Sequence, residues 1–246
     1  MLIRSLRKLV CLSALLASAM AQAGPLILSG DANLINRLDI NAGNNAFFDN
    51  ILGSGSSVGV LSTNPSLCCL GTTDDRVVSY YDAKAGVTAS LINGPIGAGS
   101  LAGFDVFVIA VPEAAIGAAG VTELSAFLAG SGTLFLLGDN ASFPAENANL
   151  NSLLAALGSS MSIVADNLDA GFNPALIDAH PLTAGTAGFE YAATSRVAGG
   201  TSLYRSLNGS TFLAVENYGT RVPEPTSLML AGIAVAALAA SRRIRG

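Results

Sequence analysis

The side chains able to bind a ligand or to react are few and widely spaced. His180 is the sole histidine, and the three cysteines are Cys11, Cys68 and Cys69. Three acidic residues stand out because each closes an apolar run, in Gly30-Asp31, Pro112-Glu113 and Gly138-Asp139-Asn140. If those runs are strands of a parallel sheet, all three motifs lie at carboxyl ends, where open α/β sheets bind their ligands. Asp31, Glu113, Asp139 and Asn140 then line one crevice. Carboxylates there suit a cation or a polyol better than an anion, and Asp139 is the residue that a ligand meets. The bland alternative is that these groups cap helices and bind solvent. Asp31-Ala-Asn33 and Asp74-Asp75 read as solvated loop carboxylates, so replacing Asp31 and Asp139 with alanine should change stability by no more than about 0.5 kcal/mol.

Other chemistry is excluded by what is missing. Nucleophilic catalysis by cysteine needs a thiolate beside a base, and no cysteine stands at the Gly138–Asn140 turn. His180 reads as a structural histidine where a loop meets a strand. Zinc takes about four ligands, more than Cys68, Cys69 and His180 supply. The two neighbouring cysteines read as small residues in a turn; a vicinal disulfide or a link to another chain stays open in an oxidising compartment. Asp31-Ala-Asn33 and Asp74-Asp75 lack the alternation and closing glutamate of an EF-hand loop. Gly53-Ser-Gly55-Ser-Ser-Val-Gly59 precedes a strand instead of opening a helix, so it lacks the donors that cradle a phosphate. No cofactor is called for. Residues 24–221 carry a net charge of −10, from six Lys/Arg and 16 Asp/Glu. That balance excludes nucleic acid as a partner, because phosphate contacts need clustered Lys and Arg.

The elements that must hold these residues can be read from residue periodicity. Pro25–Ser29, Ser57–Leu61, Val87–Ile92, Phe104–Ala110, Thr133–Leu137 and Ser162–Ala165 read as strands, and Val77–Tyr81 as a brief one. Phe104–Ala110 and Thr133–Leu137 are nearly continuous in β-branched, leucine and aromatic residues, as a strand covered on both faces requires. Three helices lie between them. In Asn44–Leu52, Phe47, Phe48, Ile51 and Leu52 share a face, with Gly53 as terminator. Val121–Ala129 ends at Gly130. In Asn147–Leu157, Leu150, Leu153, Leu154 and Leu157 recur at i, i+3, i+4 and i+7 before Gly158. Ser62–Asp75 reads as a loop.

Strands alternating with helices predict an α/β body with a largely parallel sheet. Phe189–Val197, Thr201–Arg205 and Thr211–Glu216 follow with little between them, and Asn208-Gly209 is a hairpin signal. They predict an antiparallel C-terminal extension of the sheet. No internal repeat is present.

The two ends differ from the body. Arg4, Arg7 and Lys8, an apolar Leu9–Met20 and the small-x-small site Ala21-Gln22-Ala23 form a signal-peptide pattern with cleavage before Gly24. Signal peptidase and the secretion machinery are the implied partners. At the other end Val222-Pro223-Glu224-Pro225 precedes 16 uncharged residues, Thr226–Ser241, and then Arg242, Arg243 and Arg245. As a helix those 16 residues span about 24 Å, short of the ~30 Å core of a bilayer. The segment reads as a marginal transmembrane helix, with its arginines cytoplasmic and the body outside. The chain therefore divides into a signal peptide at 1–23, the α/β body at 24–218 and a sorting tail at 219–246.

Two resemblances follow from these residues. The tail resembles the PEP-CTERM sorting signal of Gram-negative bacteria: Pro223, Glu224 and Pro225 match its triplet, Leu228–Ala240 its helix and Arg242–Arg245 its basic end. The resemblance implies an exosortase as partner, removal of the helix near the triplet, membrane anchoring beforehand, and a destination at the cell surface or in the extracellular polysaccharide. The order of elements in the body resembles the class I glutamine amidotransferase-like fold. Phe104–Val111 stands for the first central strand, Gly138-Asp139-Asn140 for the nucleophile turn and Ala179-His180-Pro181 to Gly185 for a late His-Pro segment. Asp139 stands where that family has its cysteine, and Glu216 and Asn217 where its catalytic histidine would fall. The expectation is an exported surface or matrix protein with a non-catalytic binding or structural body. The alternatives are a hydrolase using Asp139 with His180 or a metal, and a carbohydrate-binding module whose platform comes from the tyrosines and phenylalanines.

Overall fold

A computed structural model describes residues 23–63 and 73–218. The signal-peptide residues through Gln22, the Cys68-Cys69 pair and the whole sorting tail, with its transmembrane segment 226–241, lie outside the described residues. Among the described residues no helix is long and apolar enough to cross a membrane.

The fold is α/β. Strands β1 (Pro25–Ser29), β2 (Ser57–Leu61), β3 (Thr88–Ile92), β4 (Val106–Ala110) and β5 (Thr133–Leu137) pair in parallel in the order β3-β2-β4-β5-β1. Beyond β1 come β10 (Thr211–Asn217), β9 (Thr201–Arg205) and the two-residue β7 (Leu176–Ile177), all antiparallel. Alternate residues of the central strands serve opposite cores. Ile27, Val108 and Phe135 point into one, and Leu26, Leu28, Phe107, Ile109, Leu134 and Leu136 into the other. This two-sided burial is why the strands show no polar alternation.

Helices α1 (Ala42–Leu52) and α2 (Thr73–Asp82) cover the first face; α3 (Ala118–Ala129) and α4 (Pro144–Ala156) cover the second. Asn41 accepts the Asn44 N–H at 3.0 Å to cap α1, and Gly53 ends it with φ 56°. Leu150, Leu153 and Leu154 of α4 are buried, each burial contributing roughly 1.5–3 kcal/mol.

Several expectations need correction. Val77–Tyr81 is not a strand but the body of α2. Thr73, Asp74, Val77, Tyr80 and Tyr81 are its buried residues, a spacing of three and four that fits a helical stripe. A parallel step from β2 to β3 also requires a crossover of this kind. The loop read as Ser62–Asp75 therefore ends by Thr73. Ser162–Ala165 is only the start of β6 (Ser162–Pro174). That strand pairs with β8 (Glu190–Ala198) in a separate two-stranded sheet, interrupted by two register shifts. Of the three terminal runs, only β9 and β10 extend the main sheet; β8 leaves it and folds back over the carboxyl ends of the parallel strands.

Four of the five tyrosines that the carbohydrate-binding alternative would use are core residues. Tyr80, Tyr81, Tyr191 and Tyr204 are buried. Tyr191 and Tyr204 stack on Phe212 and Phe189 with ring centroids 4.4 and 3.9 Å apart.

Candidate functional site

The carboxyl ends of β1 and β5 are neighbours, and the chain leaves them in opposite directions: toward α1 on one face and toward α4 on the other. Such a divergence is the position at which open α/β sheets bind ligands; here β8 lies across it. Asp31 follows β1 and Asp139 follows β5, so the structure brings these two together, close enough for the charge of Asp139 to act on Asp31.

Both are buried, Asp31 fully and Asp139 to within 2%. The reading of Asp31 as a solvated loop carboxylate is thus overturned. Its Oδ1 accepts the Asn33 N–H at 2.7 Å and its Oδ2 the Ala192 N–H at 2.8 Å, from a residue 161 positions away. Asn33 returns a bond to the Ala192 carbonyl at 3.1 Å. Asp31 is therefore a brace between β1 and β8, and its removal should not be neutral. Asp74 is corrected in the same way: it is buried, and its Oδ2 accepts the N–H of Thr63 at 2.9 Å.

Asp139 is held differently. Its Oδ1 accepts both the backbone and the side-chain N–H of Asn140, at 2.7 and 3.0 Å. Its Oδ2 has no hydrogen-bond partner among the described residues. The backbone around it is fixed by Asn147 of α4, which accepts the Asp139 N–H at 3.0 Å and donates to the Asp139 carbonyl at 2.7 Å. Ser195 of β8 donates to the same carbonyl at 2.8 Å. Two glycines permit this closeness: a Cβ on Gly30 would stand 2.2 Å from the Ser195 carbonyl, and one on Gly138 would stand 2.5 Å from Asn147. Backbone strain collects on the same edge, at Val111, a β-branched residue with φ 44°.

Burial drives the electrostatics. It pushes Asp31 up to about 8 against the lowering effect of its two N–H donors, with the charge of Asp139 adding to the rise. It pushes Asp139 up to about 6, opposed by Asn140. Near neutral pH a proton is therefore favoured on Asp31, and Asp139 is the member with an oxygen to spare.

The other expected members are elsewhere or play other parts. Glu113 is exposed beyond β4 and makes no bond among the described residues; it does not converge with the pair. Asn140 turns the loop after β5, its Oδ1 accepting the Ser142 N–H at 2.9 Å. His180 caps the short turn Pro181–Thr183: its Nδ1 accepts the Leu182 N–H at 3.1 Å, and burial lowers its pKa. Asp139 and His180 share no hydrogen-bond partner. Among the described residues no group of three or more His, Cys, Asp or Glu is placed to hold a metal ion.

Ser195 and Asn147 are the residues that sequence reasoning missed. For Asn147 a signal existed: it occupies the inward stripe of α4 with Leu150 and Leu154, where a polar side chain needs a buried partner.

A PEP-CTERM protein-sorting motif matches residues 221–243, immediately beyond the described body. Neither a curated protein nor a solved structure matches the chain. The likeness of the element order to the amidotransferase-like fold accordingly finds no support among known structures. The motif implies export and processing by an exosortase.

Proposed function

We propose that this exported, exosortase-sorted protein displays a non-catalytic binding body at the cell surface or in the extracellular matrix. Signal peptidase first removes residues 1–23, and the segment 226–241 then holds the precursor in the membrane until the tail is processed. The sorting motif supports the location. The observation that carries the binding role is the Asp139 carboxylate, whose Oδ2 is unbonded while its Oδ1 and backbone are fixed by Asn140, Asn147 and Ser195. A prepositioned, half-satisfied carboxylate suits a cation or a sugar hydroxyl, the latter a group that a matrix polysaccharide presents.

Asp139→Asn tests this, because it keeps an acceptor toward Asn140 and removes the charge. Calorimetric titration with calcium and with acidic and neutral polysaccharides should show binding by the wild type and at least tenfold weaker binding by the variant. Equal affinity would move the site away from Asp139. Hydrolysis of ester, amide or glycoside substrates by the wild type, lost in the variant, would replace the binding role with a catalytic one.

A further inference from the structure

The two ends of the body meet. Pro25 pairs with Asn217 at the start of β1, and the Tyr218 N–H donates to the Gly24 carbonyl at 3.3 Å. Gly24 in turn donates to the Leu128 carbonyl at 2.8 Å, and a Cβ on it would stand 1.9 Å from the Gly132 carbonyl. The chain therefore enters and leaves at the amino edge of the parallel strands, beside the end of α3. β10 brings it there because it runs antiparallel to β1. Asp31 and Asp139 lie at the carboxyl ends of β1 and β5, across the full length of the strands.

The sorting motif begins at residue 221, three residues after Tyr218. At no more than ~3.6 Å per residue, about 11 Å of chain separates the folded body from the motif. The uncharged segment begins at Thr226, eight residues after Tyr218, so the amino edge is held within about 29 Å of the membrane. A cleft between Leu101, Phe104, Phe127 and Gly132 opens on this same edge. Two carboxylates at this edge are hydrogen-bonded locally: Asp105 accepts the N–H groups of Ser56 and Ser57, and Glu123 that of Leu101. Lys84 pairs with Asp49 at 2.7 Å.

We propose that the amino edge of the parallel sheet faces the lipid surface while the tail is in the membrane, and that the Asp31–Asp139 edge points away from it. The proposal rests on the reading of the tail as a membrane anchor. It means that processing takes place against the amino edge and leaves the opposite edge facing away from the membrane throughout.

The test uses the full-length precursor in a host without exosortase, carrying Cys11→Ala, Cys68→Ser and Cys69→Ser. A single cysteine is added at exposed Ala129, at the end of α3, or at exposed Ser142, beyond β5. Spheroplasts are treated with a 5-kDa maleimide-polyethylene glycol, and the same samples are fractionated after a carbonate wash. Ser142→Cys should label at least tenfold faster than Ala129→Cys in the membrane fraction. Inserting 20 Gly/Ser residues after Tyr218 should remove the difference. Equal labelling in the membrane-held precursor overturns the orientation alone. A precursor absent from the membrane fraction overturns the anchor reading and, with it, this inference. A difference that survives the inserted linker assigns the protection to the fold and also overturns the orientation.

Discussion

The hydroxyl of Ser195 donates to the carbonyl of Asp139 at 2.8 Å across 56 residues of sequence. This bond fastens β8 over the carboxyl ends of the parallel strands. The Ser195 N–H donates to the Gly30 carbonyl at 2.9 Å, so one residue ties both strand ends that carry the acidic pair.

Ser195→Ala should lower unfolding stability by about 1 kcal/mol, the net worth of a buried hydrogen bond. The loss is limited because Asn147 still satisfies the Asp139 carbonyl. Urea unfolding of wild type and variant measures it. A stability unchanged within error would show that β8 does not depend on this hydroxyl.

Gly30→Ala should cost more, about 3 kcal/mol, because the new methyl meets the Ser195 backbone at 2.2 Å and backbone cannot yield as a side chain can. Hydrogen exchange should show β8 losing protection first, before β4 or β5. Uniform loss across the sheet would contradict an edge-specific clash.

Stability should depend on pH in an unusual direction. Burial raises Asp31 to about 8 and Asp139 to about 6, whereas the unfolded chain titrates near 3.8. Between those values the folded state holds more protons on this pair, so the pair's contribution to stability is full below about pH 4 and is lost as pH rises through 6 and then 8. The thermal midpoint should be higher at pH 5 than at pH 8.5. In Asp31→Asn that difference should shrink by about three-quarters, although the variant is less stable at both pH values because an amide cannot accept both backbone N–H groups. An unchanged difference would remove Asp31 as its source.

Changing Pro223, Glu224 and Pro225 together to alanine should leave a membrane-held precursor in an exosortase-bearing host. Immunoblots of membrane and released fractions report it. Normal processing of that variant would take the triplet out of the sorting step.

Exported protein should begin at Gly24, as read by mass spectrometry of the mature N-terminus. Gly24 is also where the body's hydrogen bonding begins, through its N–H to Leu128. A mature chain beginning at Met1 would refute export by signal-peptide cleavage.

The sequence by itself determined the features with local causes. β1, β2, β4 and β5 were legible because a strand buried on both faces needs a short unbroken apolar run. α1, α3 and α4 were legible from inward stripes and from Gly53, Gly130 and Gly158 beyond their ends. The sorting motif was legible because its meaning is carried by residue order alone. Tertiary structure decided the rest. The run Val77–Tyr81 has both β-rich composition and helical spacing, and the crossover from β2 to β3 chose the helix. Asp31 looks like any loop aspartate until the Ala192 N–H arrives from 161 residues away to bury it. β8 reads as one more strand of the sheet, but the partner that claims it is β6. Such pairings leave no periodic trace, because a hydrogen bond between distant segments constrains each of them at one or two positions only.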